Sequence, residues 1–265
     1  MDFNKILDEV KALSYKVGDY IDAEAKGFDY NKVEEKGLND LVSYVDKTAE
    51  TLLVSGLEKI LPEAGFITEE GTAGHTTENF RWIIDPLDGT TNFTHGLPVY
   101  AISIALMGGN ELVLGVIYEI NRNEMFTAIK GGGAFLNNTP ISVSPRTMLN
   151  ESLLATGFPY YNFEQISHYL KILDELMKTT HGLRRMGSAA VDLAYVACGR
   201  FEAFFEYNLN VWDVAAGALI VAEAGGKVVD FKGGDDFLFG REIVAAGKVL
   251  PELIQVWTSI GHDLK

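Results

Sequence analysis

Three apolar runs, Tyr100–Met107, Glu111–Glu119 and Glu124–Ile129, follow one another with only Gly-Gly-Asn and Asn-Arg-Asn marking the joints. Connections that short cannot cross over a sheet, so the segment reads as an antiparallel β-meander. Two shorter runs precede it, Phe66-Ile67-Thr68 and Trp82-Ile83-Ile84, with the continuous apolar character of strands covered on both faces. Beyond the meander, strand patterns near Ser152–Gly157, Ala203–Tyr207, Lys227–Asp230 and Glu242–Ala246 alternate with helical patterns near Phe163–Thr179, Ser188–Ala197, Val214–Ala224 and Pro251–Ile260. Such alternation predicts a layered α/β fold with mixed sheets.

The stretch Met1–Ile21 places Phe3, Ile6, Leu7, Val10, Leu13, Val17 and Ile21 near helical spacing with charges between them, an amphipathic helix and not a signal peptide. Asp22 to Asn39 is polar and suits an exposed loop or hairpin; Asp40 is the expected cap of a helix carrying Val45, Ala49, Leu52, Leu53, Leu57 and Ile60, which Pro62 ends. "GTAGHTTEN" reads as a mobile loop and "KGGGAFLNNTP" as a turn. With 265 residues, 47% of them hydrophobic, and no repeat or separating linker, the chain divides near residue 150 into halves, 1–150 and 151–265, tightly joined as one unit. No window approaches the roughly 20 apolar residues that span a bilayer. The only cysteine, Cys198, lies in a predicted helix, so no intramolecular disulfide forms and a cytoplasmic location is expected. A formal net charge of -15 opposes general attraction to nucleic acid or anionic membrane. An anionic ligand therefore needs local help, such as a metal ion.

That help has candidate residues. In "RWIIDPLDGTTNF", Asp85 follows a buried strand, Pro86 restricts the backbone and Asp88 comes three residues later, so one turn directs two carboxylates and the Leu87 carbonyl toward a common point. Clustered carboxylates repel unless a cation neutralises them, and all-oxygen ligation suits Mg²⁺ or Mn²⁺ better than zinc. Gly89 allows close backbone approach, and the Gly89 and Thr90 N–H groups at a helix start are placed to hold phosphate oxygens. Each piece also has a plain reading: Asp-Gly is a common turn, Asp213 in "NVWDVAAGALIVAEAGG" an N-cap, and Glu69-Glu70 a solvated strand end. The conjunction of all three is what weakens the plain reading.

The sequence resembles the inositol monophosphatase family, within the larger group of Mg²⁺-dependent, lithium-sensitive phosphatases. "FITEE" at Phe66–Glu70, "WIIDPLDGTTNF" at Trp82–Phe93, "GSAAVDLAYVACGRFEAFFE" at Gly187–Glu206 and "WDVAAGALIVAEAGG" at Trp212–Gly226 carry the likeness over almost the whole chain, and "ATGFPY" and "NFTHGLP" look like its bacterial members. The resemblance implies an α/β/α/β/α layered sandwich with two mixed sheets, as in inositol monophosphatase and fructose-bisphosphatase, and a homodimer. It implies one Mg²⁺ held by Glu69, Asp85 and the Leu87 carbonyl, a second by Asp85, Asp88 and Asp213, and a third, weaker ion near Glu69 and Asp46. Gly89 and Thr90 amides are then the phosphate site, while Gly187, Ser188, Ala189, Glu206 and Asp213 face the substrate's hydroxyls. Glu69, or Thr90 with Asp46, orients the attacking water, and Lys36 covers the site or balances its charge.

The implied activity is hydrolysis of myo-inositol monophosphate, or a similar small polyol or sugar monophosphate, by metal-activated water in an in-line displacement. The chain has Thr68-Glu69-Glu70-Gly71 where the family often has Gly-Glu-Glu-Ser, and Ser43 where it has Thr; neither change removes a ligand. "TTNF" favours this branch over relatives acting on 3′-phosphoadenosine 5′-phosphate. The competing expectations are the same chemistry on fructose 1,6-bisphosphate, histidinol phosphate or 3′-phosphoadenosine 5′-phosphate, or a non-enzymatic partner in RNA-processing or transcription complexes. No direct nucleic-acid or membrane contact is expected. The five histidines show no HxxxH or HExxH spacing, which disfavours zinc, and Arg184-Arg185 reads as a subunit contact or solvated pair flanking a helix.

Overall fold

The computed structural model describes residues 1–28, 33–37, 40–73, 79–160 and 162–260, of which 33–37 and 40–42 are described by their backbone alone. Helix α1, Phe3–Ala25, starts at Asp2, whose carboxylate accepts the Asn4 and Lys5 amides, and buries Ile6, Val10, Val17 and Ile21 on one face. Strands β1, Val33–Gly37, and β2, Asp40–Ser43, form the hairpin that the polar stretch allowed. Helix α2, Tyr44–Ile60, is capped by Ser43 and not by Asp40. Asp40 lies inside β2, whereas Ser43 and Asp46 satisfy each other's backbone N–H groups three residues apart, a reciprocal cap that a lone Asp cannot match.

The next strands are β3, Gly65–Thr68, and β4, Phe80–Asp88, followed by the short helix α3, Thr90–Thr94. The meander forms as read: β5, Ala101–Gly108, β6, Glu111–Glu119, and β7, Glu124–Ile129, pair antiparallel in order. The "KGGGAFLNNTP" segment is more than a turn, because its Ala134–Leu136 (β8) and Thr139–Ile141 (β9) extend the sheet edge as a small hairpin. The result is a seven-stranded sheet in the order β3-β4-β5-β6-β7-β8-β9, parallel only between its first two strands.

The rest of the chain contributes β10, Leu153–Thr156, α4, Ile166–Thr179, β11, Gly182–Arg184, and α5, Ala189–Ala197. There follow β12, Ala203–Tyr207, α6, Val211–Glu223, β13, Lys227–Val229, β14, Glu242–Ala246, and α7, Leu250–Ile260. The second sheet, β11-β10-β12-β14-β13, is also mixed. Arg184 thus ends an edge strand that three polar-flanked residues were too few to reveal, and Cys198 caps α5, only partly buried.

Alternation along the strands sorts the core into layers. Ile102, Ile104 and Leu106 of β5 pack with Trp82, Ile84 and helices α1 and α2, while Ala101, Ala105 and Met107 face α5 and α6 on the opposite side. In the second sheet, Phe204 and Ala245 point to α5 and α6, and Phe205, Val244 and Ala246 point to α4 and α7. The order is therefore α1/α2, seven-stranded sheet, α5/α6, five-stranded sheet, α4/α7: the expected α/β/α/β/α sandwich.

The central helix layer lies close to the large sheet because β6 carries Gly115, where a Cβ would stand 2.9 Å from the Ala216 carbonyl oxygen of α6. Gly115→Ala forces backbone apart from backbone, and we expect a loss of about 1–3 kcal/mol in urea denaturation. An unchanged midpoint would mean that the layers have slack there.

Candidate active site

The end of β4 departs from a regular strand. Asp85 pairs with Ser103 and Asp88 with Ala101, so three steps on β4 match two on β5, the mark of a β-bulge. Residues three apart on an unbroken strand point to opposite faces; the extra residue turns Asp85 and Asp88 to the same side, toward α5 and α6, while Leu87 packs into the α1/α2 core. Pro86, which has no N–H to lose, sits within the bulge. Gly89 follows with φ +98°, and a Cβ there would meet the Val99 carbonyl oxygen at 2.9 Å, so only glycine fits.

Four segments meet around this bulge. Asp88 Oδ2 accepts from the Ser188 hydroxyl at 2.7 Å and the Ala190 amide at 2.6 Å, fixing it to the start of α5. Asp213 lies in the first turn of α6, where its Oδ2 accepts the Asn210 amide at 2.6 Å. Glu69 directly follows β3 beside β4, its amide donating to the Ile84 carbonyl at 3.3 Å. Buried Glu50 of α2 takes the next backbone N–H groups, Glu70 at 2.7 Å and Thr72 at 2.8 Å, and so pins the loop that presents Glu69. Asn92 ties the loop before α5 to α3 through the Val99 and Met186 carbonyls.

An open cleft here brings together Glu69, Asp85, Leu87, Asp88, Gly89, Thr90, Glu206 and Asp213, all expected from sequence. Gly187, Ser188 and Ala189 line a smaller adjoining cavity that shares Asp88, Glu206 and Asp213 with the cleft. Asp46 lies behind Thr90: the Thr90 hydroxyl is 2.8 Å from Asp46 Oδ1 and 3.0 Å from the Leu87 carbonyl oxygen, while Ser43 donates its amide and hydroxyl to Asp46 Oδ2 at 2.8 and 2.6 Å. The side chain of Lys36 lies outside the described residues.

Sequence reasoning missed several cleft residues. Arg185 is exposed, as a solvated pair implies, but it also lines the smaller cavity and donates to the Tyr160 hydroxyl at 3.0 Å, a contact the sequence did not show. Asp192 and Gly157 also line the smaller cavity. The local signal was an acid, Asp192, on the otherwise apolar α5, and a glycine directly after the strand β10.

The electrostatics are those of crowded acids. Burial first, then the charges of Glu69, Asp88 and Asp213, holds the Asp85 carboxyl well above the usual range, and Glu69 shares a hydrogen bond with it. Burial, then Asp88 and Glu69, does the same for Asp213. Asp88 is pushed up to about 6 by burial against the opposing pull of its Ser188 and Ala190 hydrogen bonds. Among the described residues lining the larger cleft there is no lysine or arginine. Nor, among the described residues, are three His, Cys, Asp or Glu side chains gathered closely enough to hold an ion as they stand. The donor set is nonetheless all oxygen, two carboxylates already point the same way, and a hard divalent cation would remove the repulsion, so these residues fit Mg²⁺ or Mn²⁺.

Comparison with known proteins agrees with this geometry. Residues 3–260 match the model of the inositol monophosphatase family. The chain is 44% identical over 255 residues to a putative Nus factor SuhB of Neisseria meningitidis serogroup B, covering 96% of this chain and 98% of that one. It is 43% identical over 220 residues to an inositol-1-monophosphatase of Mesorhizobium japonicum, covering 83% of each. Its fold superposes on an IMPase of Thermotoga maritima with a TM-score of 0.88 at 34% identity, over 99% of this chain and 100% of that one. The chain belongs to the inositol monophosphatase family.

Proposed function

We propose that the protein is a Mg²⁺-dependent phosphomonoesterase acting on myo-inositol monophosphate or a similar small polyol or sugar monophosphate. The observation that carries this is the bulge that turns Asp85 and Asp88 to one side, facing Asp213 and Glu69, in a cleft whose floor continues into the Gly89 and Thr90 amides. Glu69, Asp85 and the Leu87 carbonyl would hold one ion, Asp85, Asp88 and Asp213 a second, and Glu69 with Asp46 is the place for a weaker third. Bound there, divalent cations supply charge neutralisation for the phosphate and activation of water.

The chain's own groups do the rest. The Gly89 and Thr90 amides bind phosphate oxygens, and Glu206, Gly187, Ser188 and Ala189 face the alcohol. Thr90 orients the attacking water: its hydroxyl proton is directed to Asp46, which leaves the oxygen lone pairs free to accept a hydrogen bond from water. Burial, the largest influence on Asp46, raises its carboxyl above the usual range despite the Ser43 and Thr90 bonds, which makes it the better proton acceptor. The test is phosphate release from a panel of polyol, sugar and nucleotide monophosphates with Mg²⁺; a purified, folded protein that releases none would sink the reading.

Glu50 gives a sharper check. Glu50→Ala unpins the loop carrying Glu69, so the Mg²⁺ concentration for half-maximal activity is expected to rise about tenfold with a smaller change in kcat. Calorimetric Mg²⁺ binding equal to that of wild type would show that Glu69 is placed by other means.

A second reading is favoured by the relative named a putative Nus factor: a role in a transcription complex through a protein partner, since a net charge of -15 opposes direct RNA binding. Complementation by Asp88→Asn separates the two. A homodimer, lithium sensitivity and a cytoplasmic location belong to the same proposal; among the described residues no helix is long and apolar enough to cross a membrane.

A further inference from the structure

The smaller cavity holds a carboxylate that the fold does not need. Asp192 is 1% exposed, and its Oδ1 accepts no hydrogen bond. A buried polar atom without a partner lowers stability, so a group placed this way is explained by a partner that arrives from outside. Asp192 lines the cavity with Glu206, Arg185 and Gly157. It also sits one helical turn beyond Ser188, whose carbonyl accepts the Asp192 amide at 3.0 Å and whose hydroxyl anchors Asp88. The backbone of Asp192 therefore stands one turn further along α5 than Ser188.

Resting on the phosphomonoesterase reading, we propose that Asp192 is a specificity-determining residue: with Glu206 and Arg185 beside it, it accepts a hydroxyl of the alcohol remote from the phosphate ester. The cavity then selects a neutral cyclic polyol with several hydroxyls and rejects a second phosphate. Its chemistry points that way. Two carboxyls supply acceptors for hydroxyl protons and one guanidinium supplies donors, and Arg185 already gives one of these to Tyr160. A second phosphoryl group would be desolvated against two acids and one partly engaged cation, and a metal ion would face the guanidinium. Gly157 leaves the room: a Cβ there would fall 2.0 Å from Glu206 Oε2.

The test uses Asp192→Ala and Asp192→Asn in the full chain. For Ala, kcat/KM on inositol 1-phosphate relative to glycerol 2-phosphate, whose acyclic alcohol offers only two free hydroxyls, is expected to fall about tenfold. Asn keeps one acceptor oxygen and loses less, and discrimination against fructose 1,6-bisphosphate shrinks in both. Removing an unpartnered buried carboxylate raises Tm by about 3 °C, whereas a merely structural Asp192 would lower it. Binding of free myo-inositol with inorganic phosphate, followed by saturation-transfer NMR, weakens about tenfold in Ala. Equal losses on both monophosphates, or unchanged inositol binding, would overturn the proposal. A wild type that binds inositol but hydrolyses nothing overturns only the phosphatase reading, because the binding comparison still decides the role of Asp192.

Discussion

Asp85→Asn is expected to lower Mg²⁺-dependent phosphate release about 10³-fold while leaving the metal-free protein as stable as wild type or more so. Asp85 is buried among the like charges of Glu69, Asp88 and Asp213, and in the proposed ligand set it is shared by the first two ions. Losing one preorganised electrostatic partner costs about 10²–10³ in catalysis, and a shared ligand falls at the upper end. Stability moves the other way because the carboxyl is buried among like charges; a neutral amide of the same shape keeps an acceptor for the Leu87 amide, now 2.9 Å from Asp85 Oδ1. Steady-state kinetics paired with thermal unfolding in chelator decide it. Near-wild-type activity would remove Asp85 from the ligand set, and a collapsed Tm would mean that the bulge needs the carboxylate for folding.

That bulge also marks where the sequence was legible and where it was not. The strands of the meander are spelled out by alternation and three-residue joints, so their bounds came directly from pattern, and the apolar runs before Glu69 and Asp85 had one reading only. The approximate convergence of Glu69, Asp85, Asp88 and Asp213 was legible because each acid ends or starts a recognisable element. The bulge itself was not, since a strand's register against its neighbour leaves no local trace; Asp-Pro-Leu-Asp reads equally well as a turn. Ser43 was passed over for Asp40 because the capping partner, Asp46, is visible only once the hairpin has consumed Asp40. The contact of Arg185 was hidden for a similar reason: β11 is three residues long and borrows its strand character from β10, so nothing in "GLRRMG" says which of the two exposed arginines meets Tyr160.

Glu206 joins the two halves of that account, a residue expected at the substrate whose environment only the fold reveals, and it leads to a pH-dependent prediction of large size. Its carboxylate is packed against Gly157 and buried, and burial, opposed by Arg185 and reinforced by Asp88, pushes its pKa up to about 8 from an ordinary 4.5. In the unfolded chain the proton leaves near the ordinary value, so between the two values the folded protein holds a proton that the unfolded chain has released. The stabilisation linked to that proton is complete below the ordinary value, declines as pH rises and is gone above about 8. In chelator, the wild type is therefore expected to lose about 3–5 kcal/mol more than Glu206→Gln on going from acid to pH 8.5. The other raised acids, Asp85, Asp88, Asp192 and Asp213, slope the same way but are common to both proteins and largely cancel in the difference. Urea denaturation of the two proteins at a series of pH values reads the difference directly. Parallel curves would show that Glu206 ionises in the folded protein as it does in water, and that the cavity beside it is wetter than its walls imply.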